Sequence, residues 1–221
     1  MDRISQVKKY ADLEIVAKIL AGEAALYEII IRKYNTYLFR VGRSYGFSHS
    51  DTEDLMQEAY VSAYTHLHTF ANRSSFKTWL VKIMLNHCYQ KKQKLRFRLE
   101  VLAGNTVEEN AKPMFIHDES DTGKVVLNKE LGQVLENALL RLPEDYRMVF
   151  SLRELNRMST AETAEALAIS ESNVKVRLNR AKNLLRKEVE KMYSPEDIFE
   201  FNLMYCDRIV ERVMVRIVGI G

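Results

Sequence analysis

Apolar residues recur four positions apart along most of this chain, the spacing that lines one face of an α-helix. Over 12–40 that face is Leu26, Ile30, Tyr34 and Leu38, and the Gly42-to-Ser48 segment ends it. Ser50 followed by Glu53 has the form of a capping box. It predicts a second helix running to about His68, with Leu55, Ala59, Ala63 and Leu67 as its buried stripe. A polar loop over 71–75 leads into a long helix from Phe76 to Arg98, whose inner face is Phe76, Leu80, Ile83, Met84 and either His87 or Cys88. These helices are expected to form one unit over 12–98.

Periodicity fades over 99–123, where Gly104, Asn105, Pro113 and Gly123 punctuate the chain, and this predicts a flexible linker. A second helical unit is expected over 124–192. Val126, Leu131, Leu135, Leu139 and Leu142 mark its first helix. Pro143 followed by Glu144 and Asp145 starts the next one, because proline suits a first turn and acids suit the positive end of the helix dipole; that helix reaches Leu155. Ser159 and Glu162 form another capping box, opening a short helix to Leu167. Ala168, Ile169 and Ser170 then turn the chain into a long helix from Glu171 to about Met192. Two helices joined by so tight a turn, the second rich in Lys and Arg, make a helix-turn-helix pattern. Ala164, Leu167, Ile169, Val174, Leu178 and Ala181 are its predicted core. A helical extension over 194–221 opens with Ser194, Pro195, Glu196 and Asp197 and carries Phe201, Tyr205, Ile209, Val213 and Ile217 at four-residue spacing. The fold class is all-α: two helical domains, a linker and an extension.

Composition agrees. Only 8 glycines and 3 prolines occur in 221 residues, too few for the turns of a β-sandwich or barrel. The net charge of +3 decides little, but its distribution is informative. From Lys82 to Arg98 there are six Lys or Arg and no acid, and from Glu171 to Lys187 six against one Glu. From Glu100 to Glu136, eight acids face three bases. Two basic surfaces separated by an acidic connector suit two nucleic-acid contacts on one chain, the plainer alternative being solvated helix faces. Cys88 and Cys206 lie in no metal or disulfide spacing, which suits reduced thiols in the cytoplasm. The histidines at 49, 66, 68, 87 and 117 show no ligand pattern, so neither a metal nor any other cofactor is expected. The charged N-terminal stretch has no signal-peptide core, and charges interrupt every apolar run short of membrane-spanning length, so no membrane insertion is expected.

In a helix-turn-helix the second helix enters the major groove, where base edges present a readable donor and acceptor code. Once its core residues are removed, Ser172, Asn173, Lys175, Val176, Asn179 and Arg180 form the outward arc. Lys175 and Arg180 suit guanine edges or phosphates, and Asn179 suits adenine. Ser172, Asn173 and Arg177 suit backbone phosphates beside the positive helix end.

Two stretches carry a family resemblance. The first is Asp51-Thr52-Glu53-Asp54-Leu55-Met56-Gln57-Glu58-Ala59-Tyr60, followed by Ala63-Tyr64, Phe70 and Ser74-Ser75-Phe76-Lys77-Thr78-Trp79-Leu80. It resembles conserved region 2 of the extracytoplasmic-function sigma factors of bacterial RNA polymerase. The second runs from Leu142-Pro143-Glu144-Asp145-Tyr146-Arg147 through 159–166 to Val174-Lys175-Val176-Arg177-Leu178 and Arg180-Ala181, and resembles region 4 of the same family. The two cover about residues 20 to 98 and 130 to 190, in the family's order.

The resemblance implies a transcription initiation factor that binds core polymerase and selects promoters by their −10 and −35 elements. Asp54, Gln57 and Glu58, at i, i+3 and i+4 on one helix face, would dock on the β′ clamp helices. The Phe70-to-Ser75 loop, with Arg73 and Ser74, would capture the melted −10 strand; Asn86 would line a pocket for an extruded base. Lys82, Tyr89, Lys91 and Lys92 would hold the strand and its phosphates. Promoter DNA and an anti-sigma factor are the other implied partners. Trp79 fits either a stacking platform or core packing with Phe76 and Ile83, the second being favoured. Asn179 departs from the apolar or aromatic residue usual at that position, so no −35 preference carries over. The 194–221 extension lies beyond both matches, and its stripe calls for a cover: this chain itself, an anti-sigma partner or the polymerase. An operator-binding regulator would explain the helix-turn-helix but gives the Asp54 patch and the Ser74-to-Leu80 loop no task. An enzyme acting on DNA lacks a nucleophile with clustered arginines or a carboxylate set for Mg²⁺.

Overall fold

The 12–40 stretch folds as two helices rather than one in the computed structural model of the chain, which describes residues 12–103, 123–191 and Val210. Helix α1 (Asp12–Leu20) buries Ile15, Val16 and Ile19. Gly22 then adopts φ +109°, a region open to glycine, and a 3₁₀ turn (Ala24–Leu26) leads into α2 (Tyr27–Ser44). Helix α2 runs past Leu38 to Ser44 because Gly42 sits inside it, facing α3. A Cβ there would lie 2.6 Å from Thr52 Cγ2, so glycine is what permits the close approach of the two helices. The break falls instead at Gly46, with φ +90°.

Helix α3 (His49–Thr65) is capped by Ser48, two residues before the serine picked out by pattern. Ser48 is extended (φ −61°, ψ 170°), and its hydroxyl accepts from the Asp51 N–H at 3.1 Å and donates to the Asp51 carboxylate at 2.7 Å. The N3 residue pairing with the cap is therefore Asp51, not Glu53. Leu55, Ala59 and Ala63 are buried as predicted, and Leu67 is buried in the 3₁₀ turn Leu67–Thr69 that follows. Helix α4 (Phe76–Ala103) buries Phe76, Leu80, Met84 and Cys88, so Cys88 rather than His87 completes the stripe. The helix also continues past Arg98 into the first residues of the predicted linker; 104–122 lie outside the described residues.

The second half begins with α5 (Gly123–Leu140), in which Leu139 is buried and Leu135 is 42% exposed; the side chains of Val126 and Leu131 lie outside the described ones. Helix α6 (Glu144–Phe150) continues through a π-helical turn (Ser151–Leu155), reaching the residue that the pattern indicated. Helix α7 (Thr160–Leu167) has the full Ser159–Glu162 capping box. Ala168 turns the chain in the left-handed region (φ +53°), and Ser170 caps α8 (Glu171–Glu190) by accepting from the Asn173 N–H at 3.2 Å. Val174 and Ala181 are fully buried; Leu167, Ile169 and Leu178 pack around Val174 and Ala164, whereas Ala181 joins Leu139 and Leu142 in a neighbouring cluster. No strand occurs among the described residues.

The two halves share one core. Met148, Leu152 and Met158 of the second are buried in the cluster built by Ile30, Leu38, Leu80 and Met84 of the first. Each such apolar side chain stabilises the packing by about 1.5–3 kcal/mol relative to exposure. A buried polar seam fixes the register. Arg147, 8% exposed, donates from Nε to the Ser44 carbonyl (2.5 Å) and from Nη1 to the carbonyls of Leu140 (2.6 Å) and Leu142 (3.2 Å). Ser44 and Ser151 hydrogen-bond through their hydroxyls at 2.7 Å, and Asn156 donates to the Tyr37 carbonyl at 3.2 Å. The extension lies outside the described residues except for Val210, which is helical and 54% exposed.

Candidate nucleic-acid interface

The outward face of α8 follows from which of its residues the core consumes. With Val174 and Ala181 turned inward, Ser172, Lys175, Val176, Asn179 and Arg180 are exposed together along the N-terminal half of the helix. Val176 is 49% exposed, an apolar residue in a polar arc and therefore suited to a thymine methyl. Asn173 and Arg177 are half-buried. Arg177 donates to Asn173 Oδ1 at 3.0 Å and pairs with Asp145 at 3.2 Å, while Arg180 donates to the Tyr146 hydroxyl at 3.3 Å. Asp145 and Tyr146 thus hold the two guanidinium groups at the start of α6.

The second basic face lies on α4 and the loop before it. Phe70 stacks edge-on to Phe76 (centroids 5.2 Å apart) and packs against Trp79 (5.4 Å), which settles Trp79 as part of an aromatic cluster joined to the core. Asn72 takes a left-handed φ of +52°, turning the loop so that Arg73 is exposed and Ser74 half-buried. Asn86 and Tyr89 point to solvent, Tyr89 with 57% exposure. Lys91 turns inward instead, pairing with Asp51 at 2.7 Å and lying over the Phe47 ring. The Lys91 ammonium and the Ser48 hydroxyl hold the Asp51 carboxyl below its usual range. Asp54, Gln57 and Glu58 are all exposed on α3, opposite buried Leu55 and Ala59, with Glu58 3.4 Å from His87 Nδ1.

Acids of the second half cover part of the α4 face. Glu162 accepts from the Ser75 hydroxyl at 2.8 Å and the Thr78 hydroxyl at 3.3 Å, Glu165 pairs with Lys82 at 3.3 Å, and Glu144 pairs with Lys92. Burial opposes ionisation of Glu162, but hydrogen bonds from the Ser159 N–H and the Ser75 hydroxyl outweigh it and bring the carboxyl down to about 2. The Lys92–Glu144 pair lines a cleft of about 550 Å³ together with Arg96 of α4 and Arg177 and Arg180 of α8. Cationic residues of both predicted surfaces therefore line one cleft, partly neutralised from within. Sequence patterns drew attention to Lys82 and Lys92 but not to the acids that hold them. Glu144 and Glu162 read as helix-start residues, which they are, and nothing in local spacing signals a second contact across the molecule. Among the described residues no His, Cys, Asp or Glu cluster is placed to hold a metal ion, and no helix is long and apolar enough to cross a membrane.

Comparison with known proteins follows the same division. The family model for Sigma-70 region 2 matches residues 30–98, and that for Sigma-70, region 4, matches residues 132–185. The ECF RNA polymerase sigma factor SigW of Bacillus subtilis is 28% identical over 190 residues, spanning 85% of this chain and 95% of SigW. The ECF RNA polymerase sigma-E factor of Escherichia coli K12 is 26% identical, spanning 83% of this chain and 96% of that protein. Among solved structures, CnrH in complex with the cytosolic domain of CnrY aligns with a TM-score of 0.60 at 24% identity, over 82% of this chain and 99% of that one. The sigma factor RpoE of Bartonella quintana, solved with the anti-sigma factor NepR, aligns at 0.55 and 22% identity, over 73% and 96%. At these identities the two structures speak for the fold.

Proposed function

This chain belongs to the sigma-70 family in its extracytoplasmic-function form, and from that premise we propose how its residues divide the work of promoter-directed transcription initiation. The observation that carries the reading is the pair of family matches, region 2 then region 4, on one helical chain. The factor binds core RNA polymerase and directs it to promoters; it performs no bond chemistry of its own. Asp54, Gln57 and Glu58 dock on the β′ clamp helices, and their shared exposed face supports this role. Phe70, Arg73, Ser74, Lys82, Asn86 and Tyr89 receive the unpaired −10 strand. Ser172, Asn173, Lys175, Val176, Arg177, Asn179 and Arg180 lie against the −35 duplex, with Lys175, Asn179 and Arg180 addressed to base edges and Ser172, Asn173 and Arg177 to phosphates. An anti-sigma factor is a further partner, and the cytoplasm, where polymerase and DNA meet, is the working compartment.

Since Glu144, Glu162 and Glu165 occupy Lys92, the Ser75–Thr78 hydroxyls and Lys82, strand capture requires the two halves to part. The exposed α3 patch needs no such opening, so polymerase can engage first. Purified chain and core polymerase, run over a promoter library at low ionic strength, should select discrete start sites, and the selection should fade steeply with added salt as phosphate contacts are lost. Transcripts no different from those of core polymerase alone would remove the assignment. An operator-binding regulator predicts that outcome together with retained duplex binding.

A further inference from the structure

A second cavity, of about 400 Å³, lies on the side of the molecule where α2 meets α5, the π turn and α8. Its walls are chiefly apolar, with Phe39 from the first half and Leu135, Leu139, Phe150 and Leu185 from the second. Leu135 is 42% exposed there, although its position belongs to the apolar stripe of α5. The polar groups at the rim are already engaged. Arg43 pairs with Glu136 at 2.5 Å and donates to the Phe47 carbonyl, and Arg40 donates to the Leu155 carbonyl. A small polar ligand would find nothing to orient it, whereas an apolar helix face needs no polar anchor.

We propose that residues 194–221 of this same chain lay their apolar stripe into this groove, clamping the two halves in the packed arrangement. The route of the chain favours this occupant. Leu185 forms part of the groove wall and α8 ends at Glu190, so the chain leaves the helix about 8 Å beyond the groove. The stretch from Glu190 to Phe201 is long enough to turn back, since an extended chain covers about 3.3 Å per residue. The stripe of Phe201, Tyr205, Ile209, Val213 and Ile217 would extend about 24 Å as a helix, enough to run along a groove built by several elements. Because both halves build the groove, an occupant stabilises their union and with it the acid-on-lysine contacts over the α4 face. In the packed state the segment thus works against strand capture, a consequence that rests on the roles proposed above; the docking itself does not.

The test places a photo-crosslinking amino acid, p-benzoylphenylalanine, at Leu135 in the full chain, irradiated alone without polymerase or DNA. The expected product has monomer mass and joins position 135 to a peptide within 198–218; Ile209→Glu should abolish it. A product of dimer mass would give the groove to a second copy. No product, or a link elsewhere in the chain, would leave the segment undocked. Either result overturns the proposal without touching promoter selection. In parallel, Leu135→Glu and a chain lacking 194–221 should each bind a labelled single-stranded −10 oligonucleotide roughly three- to tenfold more tightly, as the packed population falls. Unchanged binding in both, with the crosslink present, would overturn the clamp.

Discussion

The two basic helices of this molecule present their charge in opposite ways. On α8 the N-terminal arc stands open to solvent, with Lys175, Asn179 and Arg180 exposed. On α4 the corresponding groups are shared with the other half: Lys82 with Glu165, Lys92 with Glu144, and the Ser75–Thr78 hydroxyls with Glu162. Under the roles proposed above, the surface assigned to the duplex is open, whereas the surface assigned to the strand is covered by carboxylates of the other half. Charge runs alone cannot distinguish these cases, since both blocks carry six basic residues. The difference comes from packing, and under the proposed roles it makes the union of the two halves the variable that would set strand affinity.

The most direct way to break the comparison is to remove the seam. Arg147→Ala strips donors from the carbonyls of Ser44, Leu140 and Leu142, and should cost about 3 kcal/mol, with a fall in Tm of roughly 10 °C in a thermal melt. Strand affinity should rise at the same time. A variant that melts like the parent would mean the seam contributes little. The next effect belongs to the open helix. Arg180→Ala removes an exposed cation from the reading arc and should weaken −35 duplex binding by about 2 kcal/mol, roughly thirtyfold, while leaving the single-stranded oligonucleotide unaffected. Equal losses on both DNAs would show that the surfaces are not separate.

How far these features could be read from sequence depends on their range. The helix-turn-helix was legible because each of its signals is local: the Ser159–Glu162 box, the three-residue turn, and buried Val174 and Ala181. The same holds for the α3 stripe of Leu55, Ala59 and Ala63. Where the reading went astray, a tertiary contact had overruled a local one. Gly42 looked like a breaker but is the residue that lets α2 touch Thr52, and Ser50 fits a box that Ser48 makes with Asp51. Nothing local announces the union of the halves. Arg147 follows a helix-start motif four residues after Pro143, and only burial beside Ser44 reveals what its guanidinium does.

A milder intervention sharpens the comparison without unfolding the seam. Glu162→Gln combined with Glu165→Gln keeps the side-chain lengths, and glutamine at 162 can still accept from the Ser159 N–H in the capping box. What disappears is negative charge over the Ser75–Thr78 hydroxyls and Lys82. Half-exposed contacts of this kind are worth about 1 kcal/mol together, so the −10 oligonucleotide should bind about fivefold more tightly, with −35 duplex binding unchanged. Tightening on both DNAs would point to a general change in net charge rather than to uncovering of one face.

The smallest effect is the response of this contact to acid. The carboxyl of Glu162 titrates at about 2 in the folded chain, against an ordinary 4.5. A depressed carboxyl stabilises the fold that depresses it, so its contribution is complete above pH 4.5 and declines as pH falls toward 2. Strand affinity near neutrality should consequently be indifferent to pH as far as Glu162 is concerned. Between pH 4.5 and 3 the distance between dyes on α3 and α8, followed by energy transfer at fixed ionic strength, should begin to increase. The Glu162→Gln chain has no such carboxyl to protonate, so its curve over this interval should be flatter than the parent's. Curves of equal slope would assign the acid response to groups other than Glu162 and would leave Glu162 as a helix cap that happens to touch α4.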